Sequence, residues 1–90
     1  MKQRKDLKIY ISVDIEGVCG ICNWNETELG EQEYNYFRNE MTKETIACCN
    51  ALIQMGITNI TVRDAHDSAR NIIPDLLPEC VTLIREWTNG

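Results

Sequence analysis

The chain has 90 residues, 43% apolar and 26% charged, enough for one small domain of soluble type with no apolar stretch near the ~20 residues that cross a bilayer. A formal charge of −5 argues against a phosphate-binding surface, since nucleic-acid modules need clustered cations to displace counterions. Five cysteines, an odd number, argue against a disulfide framework and for a reducing, cytoplasmic setting.

Lys2, Arg4, Lys5 and Lys8 form the one basic cluster. The apolar segment behind it breaks at Asp14, short of the ~7 to 15 residues of a signal-peptide core, so the cluster reads as a solvated N-terminus. Over residues 7–16, Leu7, Ile9, Ile11, Val13 and Ile15 alternate with Lys8, Tyr10, Ser12, Asp14 and Glu16. This period of two predicts a strand with one buried face, with Ser12, Asp14 and Glu16 leaving it on the same side. Residues 17–30 carry Gly, Asn and Thr without a period and read as a loop.

A helix is expected next. Tyr34, Phe37, Met41, Thr45, Cys48, Leu52 and Met55 recur at three- and four-residue steps, Ile46, Cys49 and Ile53 widen the stripe, and Gly56 closes it as a C′ residue. Thr42 has the chemistry of a cap and would start a second helical segment, with a kink near Met41. The stripe reads as core rather than a cofactor box, and Cys48 and Cys49 as small core-facing residues. "NITVRD" (Asn59 to Asp64) predicts a second strand with Ile60 and Val62 inward. Pro74 and Pro78 bracket a loop or one helical turn, and Val81 to Ile84 make a third strand. The expected class is α/β: a βαβ-type parallel sheet with a right-handed crossover and a long helix between the first two strands, in one domain over residues 1–90.

In open parallel sheets, ligands bind at the carboxyl ends of the strands. The first predicted strand ends in Asp14 and Glu16, the second in Asp64 and His66. Two carboxylates at i and i+2 on one face repel unless a cation relieves them, and an imidazole from the neighbouring strand adds a nitrogen ligand that suits zinc. Asp14, Glu16 and His66 then leave a fourth position for water, the arrangement of a hydrolytic rather than a structural zinc. The plainer alternative is an exposed acidic turn beside a surface histidine. Asp64 either orients the imidazole or a substrate amine, or serves as a buried hydrogen-bonding group beside the turn. "CGIC" (Cys19 to Cys22) offers a competing redox pair, weakened because no helix follows it directly.

"YISVDIEGVCGI" and "VRDAHDSARNI", with the long helix between them and "LLPE" before the third strand, resemble the N-terminal part of the zinc-dependent D-aminopeptidases, the DppA-type metallopeptidases. The resemblance implies a larger three-layer domain and a dinuclear zinc site. Asp14 matches the bridging carboxylate, Glu16 and His66 match the other ligands of the first zinc, and Ser12, Gly17 and Asp64 match supporting positions. It implies short peptides with N-terminal D-residues as substrates, a homo-oligomer, and neither nucleic acid nor membrane as partner. The family's second zinc takes a histidine and a glutamate from later sequence, and a further histidine serves catalysis. A chain with one histidine therefore corresponds to an N-terminal fragment, with one ligand set and catalytic residues expected downstream. "CGIC" replaces a turn that lacks the cysteine pair, and "IREWTNG" matches the family only loosely.

Two other readings stay open on the residues alone. Haloacid-dehalogenase-like phosphatases also end a first strand in an acidic pair before Gly, with magnesium as cofactor, although the second acid is normally Asp. A non-catalytic interaction domain with an acidic rim needs no metal at all.

Overall fold

Alternation along "KIYISV" half-buries Ile9, Ile11 and Val13 and exposes Lys8, Tyr10 and Ser12, which makes β1 (Lys8–Val13) a strand with one inward face. The structure, a computed structural model, describes residues 6–22, 26–28 and 33–87. Lys2, Arg4 and Lys5 of the basic cluster lie outside them, as does the side chain of Glu16.

β1 stops earlier than the alternation predicts. Gly17 N donates to Asp14 O at 3.1 Å and Val18 N to Ile15 O at 3.0 Å, winding Ile15–Gly17 into a 3-10 turn. Asp14 remains extended, at φ −130° and ψ 135°, so it continues the alternation of Ser12. The Glu16 backbone lies in the turn rather than in the strand, and the expected direction of its side chain falls outside the described residues. The turn wins because it buries Ile15 completely and Val18 almost so.

α1 (Tyr34–Gln54) runs unbroken through Thr42. Thr42 is not a cap: its Oγ1 donates to Arg38 O at 2.9 Å and accepts from Ile73 N at 3.1 Å, tying the helix to the chain after β2. No side chain caps the N-terminus at Glu33, so burial of Tyr34 anchors the first turn. The other end is closed by a Schellman motif. Ile57 N bonds Leu52 O at 3.0 Å and Gly56 N bonds Ile53 O at 2.9 Å, with Gly56 at φ +88°, a conformation glycine takes without strain. The buried positions are Tyr34, Met41, Thr42, Thr45 and Cys49. Two expected core positions are exposed instead. Cys48 faces an open cleft beside β1, and Met55 sits past the last full turn.

β2 (Asn59–Asp64) is the central strand and β3 (Val81–Ile84) follows a connection whose only helical piece, among the described residues, is the 3-10 turn Pro74–Leu76. The order is β1-β2-β3 and both pairings are parallel, with Ile9 opposite Ile60, Ile11 opposite Val62 and Val62 opposite Leu83. The fold is therefore α/β, with one helix between the first two strands. Ile15, Tyr34, Met41, Cys49, Ile60 and Val62 belong to the core between α1 and the sheet. Each fully buried aliphatic side chain there contributes about 1.5–3 kcal/mol. Among the described residues no helix is long and apolar enough to cross a membrane.

Candidate metal centre

Because the ladder pairs Val13 with Asp64, the carboxyl ends of β1 and β2 finish level, and Ala65 N extends the pairing to Val13 O at 2.8 Å. Asp14 and His66 therefore leave the sheet side by side. His66 Nδ1 lies 2.9 Å from Asp14 Oδ1, although the residues are 52 apart in sequence. The imidazole is held inside the protein, its side chain 11% exposed, while the Asp14 carboxylate is 55% exposed and reaches solvent.

The second ring nitrogen decides the chemistry of the first. His66 Nε2 contacts the carbonyl oxygen of Thr27, which can only accept a hydrogen bond, so Nε2 carries the proton. Nδ1 of a neutral ring then aims a lone pair at a carboxylate oxygen. That contact is favourable only with a proton or a cation between the two atoms. A histidine whose outer N–H is tied to a backbone carbonyl while its other nitrogen faces a carboxylate is the arrangement by which proteins orient a metal ligand.

Asp64 holds the loop that delivers His66. Fully buried, it accepts Ile72 N at 2.7 Å and Asn71 N through Oδ2, and Asn71 Nδ2 at 2.9 Å through Oδ1. Asn71 Nδ2 also reaches His66 O at 2.7 Å, and Asn71 Oδ1 accepts the Tyr34 hydroxyl. Of the roles open to Asp64, these bonds are those of the buried group beside the turn; its carboxylate reaches His66 through Asn71. Arg38 Nε adds a bond to Asn71 O at 2.6 Å. Burial pushes the Tyr34 phenol above its ordinary range, Arg38 opposing and Asp64 reinforcing the shift, so Tyr34 stays a neutral donor.

Among the described residues no group of three or more His, Cys, Asp and Glu gathers where it could hold a metal; Asp14 and His66 are brought together as a pair. The Glu16 backbone lies in the turn two residues beyond Asp14. Ser12 is exposed and paired with Arg63 across the ladder. Gly17 and Asp14 both line a cleft of about 340 Å³ between β1 and α1, whose walls include Ile11, Val13 and Met41. A Cβ on Gly17 would meet nothing within 4 Å.

Cys19 and Cys22 are exposed free thiols whose backbone amides donate to Glu44 Oε2 at 3.0 Å and Glu26 Oε1 at 2.8 Å. Burial, then the neighbouring Cys48 and Cys80, push the Cys49 thiol upward, which leaves it protonated and unreactive. Sequence reasoning missed Thr27 and Asn71. The first acts through its carbonyl, which has no side-chain signature, and the second stood in the quoted "SARNI" without a partner to give it a role.

Residues 7–89 match the model of the peptidase M55 family, described as D-aminopeptidase. The D-aminopeptidase of Bacillus subtilis (strain 168) is 31% identical over 71 residues, covering 79% of this chain and 26% of the relative. A solved structure, the Zn-dependent D-aminopeptidase DppA from Bacillus subtilis, described as a self-compartmentalizing protease, superposes with a TM-score of 0.84 at 30% identity. That superposition covers 89% of this chain and 29% of the solved one, so the chain spans less than a third of the length of either relative.

Proposed function

This chain belongs to the D-aminopeptidase family, and from that premise we propose that it is part of a zinc-dependent aminopeptidase releasing N-terminal D-amino acids from short peptides. The observation that carries the reading is the His66 ring: Nε2–H tied to the Thr27 carbonyl, Nδ1 turned to the Asp14 carboxylate at 2.9 Å. These residues fit a metal, because an imidazole nitrogen and a carboxylate oxygen, both ligand types that zinc takes, face one another.

His66 and Asp14 would hold the ion together with Glu16, and the half-exposed Asp14 carboxylate would be the group available to a second ion. When bound, zinc supplies a Lewis acid for the scissile carbonyl and a water whose pKa falls toward ~7. The chain's own residues do the positioning. Thr27 sets the tautomer of His66, Asp64 and Asn71 hold the backbone behind it, and Asp14 presents its carboxylate beside the cleft that it lines. The remaining ligands and the catalytic acid–base group would come from sequence beyond this chain. A homo-oligomer is supported by the self-compartmentalizing character of the solved relative. Five free thiols suit a cytoplasmic, reducing compartment. The family match is to peptidases, and no observation favours the magnesium phosphatase or the interaction domain.

The test is zinc content and D-aminopeptidase activity of the full-length protein carrying Asp14→Asn or His66→Ala. Both substitutions are expected to lower bound zinc and abolish turnover. Zinc stoichiometry unchanged in both would defeat the assignment.

A further inference from the structure

The loop carrying His66 is gripped from two sides, and the inner grip is the Asp64–Asn71–Tyr34 network. The outer grip comes from the segment after β3, which the family resemblance matched only loosely. Glu86 N donates to Ala69 O at 2.8 Å, and Trp87 Nε1 donates to the carbonyl of Asp67, the residue next to His66. The Trp87 ring lies over the guanidinium of the buried Arg63, 4.0 Å from CZ to the ring centroid. Arg70 Nε adds an exposed ion pair to Glu86 Oε1 at 3.7 Å.

This corner also holds the three non-glycine residues of positive φ among those described: Asp67 at 46°, Ala69 at 57° and Glu86 at 58°. L-residues keep such conformations where the surroundings hold them in place. Ala69 N closes the turn onto His66 O at 2.7 Å, so the backbone that carries the His66 ring is part of this turn.

We propose that Trp87 is a positioning residue for the metal centre: bonded to the Asp67 carbonyl and seated on Arg63, it holds the 66–69 turn in the shape that aims His66 Nδ1 at Asp14. The proposal rests on the zinc reading above. Without the indole N–H, the Asp67 carbonyl is released and the turn can relax toward ordinary backbone angles. The ring of His66 then swings away from the carboxylate.

The experiment uses the full-length protein with Trp87→Phe, which keeps a ring over Arg63 but has no N–H donor, and Trp87→Ala, which removes both. Hydrogen exchange at the Ala69 amide, zinc affinity by chelator competition, the visible spectrum of the cobalt(II)-substituted protein and thermal stability are measured together. Zinc affinity is expected to fall about tenfold in the Phe variant and further in the Ala variant, as for other outer partners of metal ligands. Faster Ala69 exchange and an altered cobalt spectrum should accompany the loss. Wild-type zinc affinity and cobalt spectrum in Trp87→Phe, whatever happens to stability, would overturn the proposal even if Trp87→Ala fails to fold. A parent protein that takes up no zinc overturns the zinc reading and this role with it, which separates the two failures.

Discussion

Tyr34 reaches the Asp14–His66 pair through a chain of hydrogen bonds. Its hydroxyl satisfies Asn71 Oδ1, and Asn71 in turn bonds both Asp64 and the His66 carbonyl. Tyr34→Phe leaves a buried acceptor unsatisfied and should cost about 1–3 kcal/mol in denaturant unfolding. The pH dependence has a definite sign. Burial raises the phenol in the folded state, so between its unfolded value, about 10, and the higher folded value the unfolded chain releases a proton that the folded chain keeps. The contribution of Tyr34 is therefore whole below pH ~10 and declines above it. Phe at this position should flatten that part of the alkaline stability profile, and an identical slope in both proteins would refute the assignment. The side chain of Glu16 lies outside the described residues, while the Asp14–His66 contact was legible from spacing because both residues carry their chemistry on a side chain. The partners that orient His66 were not, since a backbone carbonyl and an asparagine acquire meaning only from what the fold places beside them.

At the scale of elements, β2, β3 and the Gly56 stop of α1 were readable residue by residue, because period-two burial and a positive-φ glycine leave local signatures. Two of the departures at this scale are of one kind. Ile15 continues the alternation of β1 in sequence, yet the chain buries it by turning rather than by extending. Cys48 continues the apolar stripe of α1 but meets the open cleft instead of the sheet. Both outcomes depend on where neighbouring elements end, which no local pattern encodes. The helix face gives a graded prediction. Met41→Ala, at a fully buried position, should cost about 2–5 kcal/mol in denaturant unfolding. Cys48→Ser should stay within about 0.5 kcal/mol of the parent. Thr42→Val keeps the shape but removes the acceptor of Ile73 N, so a loss of about 1–3 kcal/mol is expected despite similar volume. Equal effects at positions 41 and 48 would contradict the observed helix orientation.

Across the whole molecule, the two motifs were recognisable as one site only together, because the parallel register brings residues 52 apart into contact. A cation at Asp14 and His66 would tie the end of β1 to the loop after β2, so metal binding should appear as stability. A ligand that binds the native state alone adds RT ln(1 + [L]/Kd), about 2.7 kcal/mol at a hundredfold excess over Kd. Five thiols give the unfolded chain its own affinity for zinc, so the observed increment should fall below that ceiling. The measurement is the denaturant midpoint of the full-length protein in zinc-buffered solutions, with chelator as the zero point. The parent should gain stability as free zinc rises, and Asp14→Asn should lose most of that response while its metal-free stability changes little, its carboxylate being half exposed. An equal zinc response in parent and variant would place the stabilising ion elsewhere, with the exposed thiols as the first place to look.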